Sequence, residues 1–285
     1  RVNRALTGDR GGIFPMKKNV DSWSVEIPIT AKSGLGPGFW RATVLTTTQT
    51  GETLSSSIVF LVKSPNAPKE NPRLLMGPGE ASKVMEKTAS NRMKTVWEGL
   101  QRSAVNARKQ NRVEDFVYNL DAYDEIHWLP TYGGYVRAIR IPSAYIRSNG
   151  VVYGLSGDLE AGDAAGKALV QMAQWPSYVH PHILNQGQFT YWPVGQMLAD
   201  MAIGYDMVRG RMSAGDRKIT ARALYSKGVT EVFKEYVRDN RVSSYTSNWI
   251  GDVTGGAVLC ALAVMNDIPE EELEPYLSGM ILKMG

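Results

Sequence analysis

Between Trp249 and Asp267 the chain carries one charged residue, Asp252, in a run otherwise built of Gly, Ala, Ile, Val, Leu, Thr, Cys, Met and Asn. A helix with so little charge has no face to offer to water, so it must be enclosed by other elements. Neither this run nor any other keeps the unbroken apolar length, roughly 18 to 20 residues, of a membrane span. The stretch is therefore expected to be an interior helix, over about 247–265, wrapped by others. The preceding segment is of the opposite kind. Ser213 is placed to cap a long amphipathic helix running to about Val237, with Asp216 in its first turn. Upstream, Val194, Met197, Leu198, Met201, Ala202, Tyr205 and Val208 form an i, i+3, i+4 stripe over 193–208, with Pro193 in the first turn. Residues 160–175, with Ala165, Leu169, Met172 and Ala173, and the closing "PEEELEPYLSGMILKM" are helical as well. Helices follow one another without βαβ alternation, which makes an all-α domain. Amphipathic helices alternating with nearly uncharged ones suit an inner ring wrapped by an outer ring. A globin-like or solenoid packing would use the same elements, although no repeat of roughly 34 or 40 residues is present.

The first part of the chain has a different period. "WSVEIPIT" alternates, with Val25, Ile27 and Ile29 on one face, and "FWRATVLTTT" is followed by a Thr50-Gly51 turn and "SSSIVFLVK". Short strands separated by Gly/Pro turns such as "SGLGPG" predict a small antiparallel β-sandwich of immunoglobulin-like type over 1–63, one that is partial. "SPNAPKENP" marks a linker over 64–72, and the helical domain takes up 73–285. Pro78 is expected at the first position of a helix, and residues 110–140 read as irregular and aromatic. The chain opens at Arg1 with no Met and no signal-peptide pattern, so it reads as a processed or trimmed piece.

With 285 residues the chain is long enough for two domains of about 100–200 residues each. Its net charge of +4 mildly favours an acidic partner, but Lys and Arg are scattered rather than clustered as in a nucleic-acid arm, so no nucleic-acid partner is expected. Cys260 is the only cysteine and lies in the apolar helix, where it is expected to be a buried, unreactive thiol. Three histidines, His127, His180 and His182, are too few and wrongly spaced for a metal site, and no cofactor motif occurs: "GPGEAS" lacks the lysine of a phosphate-binding loop.

Chemistry is concentrated instead in three polar-aromatic clusters. "YVHPHILNQGQFTYWPVGQ" holds His180, His182, Asn185, Gln186, Gln188, Tyr191 and Trp192; "YTSNW" holds Tyr245, Ser247, Asn248 and Trp249; the loop around 123–135 holds Tyr123, Asp124, Glu125, His127, Trp128, Tyr132 and Tyr135. Aromatic rings interleaved with amides suit a sugar, because rings stack on its apolar face while amides meet its hydroxyls. An ordinary turn with a tryptophan plugged into the core explains the first cluster too, and a helix N-cap explains Asn248. Asp124 with Asp158 is the one suggestive carboxylate pair for a hydrolase.

"NPRLLMGPGEASKVMEK", "NQGQFTYWPVGQMLADMAIGYDMV" and "SNWIGDVTGGAVLCALAV" resemble, in order and spacing, three segments of heparinase II/III-type polysaccharide lyases, over about residues 70–285. The resemblance implies an incomplete (α/α) toroid, here without the family's C-terminal β-sandwich, and β-elimination on a uronate-containing acidic polysaccharide such as a glycosaminoglycan or an alginate-like chain. It implies Asn248 as the group that neutralises the uronate carboxylate. Trp249 stands where some members carry a histidine. The catalytic tyrosine and a further histidine are expected beyond Gly285, so the chain is expected to be inactive alone. The family's habits imply a bacterial periplasmic or secreted location. A different (α/α)-toroid enzyme (a glycoside or uronyl hydrolase), a uronate epimerase and a non-catalytic carbohydrate-binding protein are the alternatives.

Overall fold

The computed structural model describes residues 2–4, 10–12, 17–18, 23–24, 38–47, 50–62, 69–120, 128–239 and 248–284. By internal contact the chain divides into two units, Arg1–Ala67 with Glu274–Gly285, and Pro68–Leu273.

The first unit contains strands β1 (Val2–Arg4), β2 (Arg10–Gly12), β3 (Lys17–Lys18), β4 (Trp23–Ser24), β5 (Gly38–Thr47) and β6 (Thr53–Val62). Four of them form an antiparallel sheet in the order β2-β1-β5-β6, and β3 pairs with β4. The expected hairpin is present: Gly38 faces Val62 at one end and Thr47 faces Thr53 at the other. It turns at Thr50-Gly51, where Gly51 has φ 85°, a conformation that costs glycine nothing because it lacks a Cβ. The three-residue strands β1 and β2 were not anticipated, since strands so short carry no readable alternation. Of "WSVEIPIT" only Trp23 and Ser24 lie within the described residues, as does only Gly38 of "SGLGPG".

The second unit is helical. Its elements are α1 (Ala81–Lys87), α2 (Asn91–Gln110), α3 (Trp128–Ser156), α4 (Leu159–Ala173), α5 (Pro181–Asn185), α6 (Trp192–Val208), α7 (Ala214–Ala223), α8 (Thr230–Val232) and α9 (Gly255–Ala263). A final helix, α10 (Glu270–Met284), contains the boundary between the two units. The long helix expected from Ser213 exists as a continuous winding. Ser213 Oγ caps α7 by accepting from the Asp216 N–H, and π turns at Leu224–Val229 and Phe233–Arg238 carry the winding on either side of α8.

α6 is the centre of this unit. Its expected apolar stripe is there, but burial extends around most of the helix and takes in Asp200 and Asp206. α3 packs on one side and α9 on another. Both crossings are made through glycine. A Cβ on Gly150 of α3 would stand 2.9 Å from the Gly204 Cα of α6. A Cβ on Gly195 of α6 would stand 2.5 Å from the Asp252 carbonyl oxygen, and one on Gly256 would meet the Gly195 carbonyl. Backbones approaching this closely leave no room for any side chain, and the close packing gains dispersion along the whole crossing.

Two expectations are corrected. Pro78 is not helical; it lies in a turn with Gly79 at φ 75°, and α1 begins only at Ala81. Residues 128–140 are not irregular but form the first part of the 29-residue α3, despite Gly133, Gly134 and the internal Pro142. α3 packs against α1, α2, α4 and α6, so its apolar residues point several ways and show no single stripe, while tertiary burial outweighs the weak local propensity.

The "NPRL" segment, where the expected linker 64–72 gives way to the helical domain, is pinned. The Asp206 carboxylate, 1% exposed, accepts hydrogen bonds from Asn71 Nδ2 (2.6 Å), the Arg73 N–H (2.8 Å) and the Leu74 N–H (2.9 Å). A buried carboxylate is tolerated only with such a full complement of donors. Nearby, Asp267 accepts from Tyr205 Oη at 2.6 Å and takes a two-pronged contact from Arg209 at 2.6 and 2.8 Å. Burial opposes ionisation of Asp267, but the Arg209 and Tyr205 hydrogen bonds prevail and hold its pKa below 3.8.

Asp206→Ala orphans two backbone N–H groups and leaves Asn71 Nδ2 with only the Ala263 carbonyl, so it is expected to lower unfolding stability by roughly 3 kcal/mol. Urea denaturation checks the loss, and hydrogen exchange should speed up first at the Arg73 and Leu74 amides. A carboxylate with a depressed folded pKa stabilises above its unfolded pKa, and that contribution fades as pH falls towards the folded value. Asp267→Asn should therefore flatten the acid limb of stability below about pH 4, followed as melting temperature against pH.

Candidate functional site

The segment from Trp175 to Trp192 is fixed from several directions. Trp175 Nε1 donates to the Phe116 carbonyl at 2.8 Å, and Lys227 Nζ caps the end of α4 through the carbonyls of Ala173 (2.7 Å) and Trp175. His180 is the N-cap of α5: its Nδ1 accepts from the His182 N–H at 2.9 Å, with Pro181 as the first helical residue. Gly187, at φ 72°, ends the short helix in the left-handed conformation. Glu235, 4% exposed, then reaches across to accept from the N–H groups of Phe189 (2.6 Å) and Thr190 (2.9 Å). That holds Tyr191 and Trp192 at the head of α6.

These restraints bring residues far apart in sequence onto one wall. Tyr132 of α3 lies edge-on to Tyr191 with ring centres 6.2 Å apart, and 6.3 Å from the Trp192 ring. Tyr191 in turn meets Trp249 edge-on at 5.3 Å. Behind them Tyr135 packs on His180 at 5.6 Å, and His180 on His182 at 6.4 Å. All three clusters singled out in the sequence thus contribute rings to one array. Burial pushes the Tyr132 pKa up to about 12, with Tyr191 adding and with Trp192 and Arg140 opposing, and the hydroxyl itself is buried. Tyr135 is pushed up further, again by burial.

Other expected residues fall in different places. His180 is 1% exposed, so its ring supports the wall and is out of reach of a bound polymer. His182 is half-buried, with its Nε2 2.9 Å from the Gln186 amide, while Gln188 reaches Gln186 at 3.4 Å. Asn248 opens the described residues 248–284 and is exposed; since it is already helical, the N-cap reading moves off it. Tyr245, His127, Tyr123, Asp124 and Glu125 lie outside the described residues. Asp158 does not face the wall as half of a carboxylate pair. It caps α4, accepting from the Ala161 N–H at 3.1 Å, and stands 3.7 Å from Arg108. Among the described residues no three His, Cys, Asp or Glu side chains come together as a metal site. Cys260 is buried with its thiol pKa pushed up by that burial, so it stays protonated.

Beside the wall, α6 and the start of the interior helix leave an open cleft of about 610 Å³. Trp192, Gln196 and Ala199 line it from α6, and Gly251, Asp252 and Gly255 from the other side. The expectation of a fully enclosed helix is corrected here. Its first turns, Ile250–Thr254, are π-wound, and Gly251 and Asp252 are exposed. Asn248 precedes Gly251 and Asp252 by one turn, a spacing that sets it along the same side of the helix. π turns often occur at functional sites. Gly195 and Gly256 are required by the crossing of α6 and α9, whereas a Cβ on Gly251 or Gly255 would meet nothing within 4 Å.

Sequence reasoning missed Glu235, Gln196 and Arg140. Glu235 gives no local signal, because its partners lie 45 and 46 residues away. Arg140 was legible only once α3 was known to be helical through Tyr132, since helical spacing then carries the aromatic face on to 139 and 140. No protein-family model matches the chain, and no curated protein matches it.

The two kinds of glycine are separable by substitution. Gly255→Ala should raise stability by about 0.5–1 kcal/mol, the cost of glycine inside a helix. Gly256→Ala should lower it by about 1–3 kcal/mol through overpacking. Paired thermal melts read both, and equal effects would remove the distinction.

Proposed function

We propose that the helical unit binds an acidic, uronate-containing polysaccharide and forms part of a lyase that cleaves it by β-elimination. The observation that carries this reading is the convergence of Tyr132, Tyr191, Trp192 and Trp249 into one ring array beside an open cleft. Aromatic faces supply stacking surface for sugar rings with little loss of conformational freedom, and the amides of Gln196 and Asn248 are suited to hydroxyl or carboxylate oxygens. Helices packed about a buried α6 are compatible with an (α/α) toroid, and the N-terminal sheet with a leading β-sandwich. The same reading carries a bacterial periplasmic or secreted location, where such polymers are met.

β-Elimination breaks the bond between C4 of the uronate and the glycosidic oxygen after the proton on C5 is removed. The carboxylate must first be neutralised, so that the carbanion developing at C5 can delocalise into it; a base then takes the proton, and an acid protonates the leaving oxygen. Asn248 is assigned to the carboxylate, as an uncharged donor exposed at the head of a helix. Tyr132, whose hydroxyl is buried, backs the wall, and Tyr191, Trp192 and Trp249 offer the partly exposed rings. With Asp158 committed to capping α4, the wall lacks one partner of the acid–base pair that a hydrolase reading named.

The test is product analysis with polymannuronate, polygalacturonate and heparan sulfate, using the full-length protein. Cleavage should generate unsaturated uronates, read by ultraviolet absorbance. New reducing ends without that absorbance would make the protein a hydrolase, and binding without cleavage a carbohydrate-binding protein. Asn248→Ala should lower kcat by about 10²–10³-fold while leaving the melting curve in place. Turnover like that of the unsubstituted protein would remove Asn248 from the mechanism.

A further inference from the structure

Helix α3 carries Arg137, Arg140 and Arg147 and no Asp or Glu, and the three arginines fall on one side of it. Their charges are met differently. Arg147 Nη1 lies 2.8 Å from the carboxylate of Asp200, a buried acid that also accepts from Ser143. Arg137 lines a separate cleft that also contains Asp115. Arg140 is exposed; its charge acts at a distance on Asp200, while its direct contacts among the described residues are with neutral groups: the guanidinium lies over the Trp192 ring, 5.7 Å from its centre, and donates to the Gln196 side-chain oxygen.

Both of those partners line the cleft between α6 and α9. The cation–π contact with the indole and the hydrogen bond to Gln196 together restrain the side chain, so a normally mobile guanidinium is oriented before any ligand arrives. A planar cation so fixed, with further N–H donors unused, matches the two coplanar oxygens of a carboxylate. Asp252, on the opposite wall, has no such complementarity to an anion; its carboxylate is suited to accepting from sugar hydroxyls.

We propose that Arg140 is a specificity-determining residue that binds the carboxylate of one uronate ring while Trp192, beneath it, stacks on the neighbouring sugar. This rests on the reading of the cleft as a polysaccharide site and adds to it the residue that selects charged over neutral chains. Arg140 reaches Trp192 from α3, whereas Asn248 belongs to the winding that leads into α9.

The experiment compares binding of a mannuronate tetramer and of its carboxyl-reduced, neutral counterpart, by calorimetry and tryptophan fluorescence. It uses the unsubstituted protein, Arg140→Gln and Arg137→Gln. The unsubstituted protein should prefer the charged tetramer, and raising the salt concentration should weaken that binding. Arg140→Gln should weaken the charged tetramer by about tenfold or more, the worth of a charge-assisted pair, and leave the neutral one unchanged. Arg137→Gln, on the same helix but away from this cleft, should change neither. An Arg140→Gln protein that keeps its preference, or loses both tetramers equally, overturns the selectivity role of Arg140, while the polysaccharide reading still stands on the binding of the unsubstituted protein. If the unsubstituted protein binds neither tetramer, the polysaccharide reading falls with it. Matching melting curves exclude misfolding, and Arg140→Lys, which keeps the charge but not the planar fork, should recover only part of the affinity.

Discussion

Two backbone-to-backbone crossings hold the helical unit together, Gly150 against Gly204 and Gly195 against Gly256. Each brings a neighbouring helix onto α6 more closely than any side chain would allow. Because α6 is gripped from two sides, its rotation is fixed, and with it the direction of every residue it carries. Asp206 then faces the Arg73 and Leu74 amides, while Tyr205 and Arg209 face Asp267. Trp192 and Gln196 are turned towards the cleft. A core of this kind has little give, so its polar groups must be satisfied in place, and the buried carboxylates Asp200, Asp206 and Glu235 all have donors.

The candidate site follows from that grip. α6 begins where the wall begins, and the turn before it is tied down by Glu235, so the rings of Tyr191 and Trp192 are held from both ends. Tyr132 arrives on α3, and Trp249 on the winding that leads into α9, the two partners of α6 in its glycine crossings. The cleft exists because the same helix uses its glycines in two ways. Gly256 lets the backbones touch; Gly251 and Gly255 leave space where a side chain would have stood. Arg140 brings a positive charge beside Trp192 and Gln196, two residues that line that space.

Much of this was readable where a local rule had a single strong cause. The hairpin of β5 and β6 was given away by alternation and by Thr50-Gly51, and α6 by its apolar stripe and Pro193. Ser213 as a cap needed only its own neighbourhood. The density of aromatic and amide residues marked the residues of the wall, Tyr132, Tyr191, Trp192 and Trp249, without showing that they meet. α3 was hidden because it is buried against four helices and carries Gly133, Gly134 and Pro142, so neither periodicity nor propensity betrayed it. His180 looked like a ligand-binding side chain and is a helix cap, a difference set by which way one ring nitrogen points.

The sequence by itself determined that a short β region precedes a helical one, that the nearly uncharged run after Asp252 is largely buried, and that aromatic and amide groups gather at helix heads. Those properties are written in local periods, caps and composition. Only the tertiary structure decided which rings share a wall, that Asp158 serves a helix end while Asp206 anchors "NPRL", and that Arg140 rests on Trp192. Each of these depends on the rotation of one helix against another. That rotation is set by close packing between residues tens of positions apart, which no local pattern encodes.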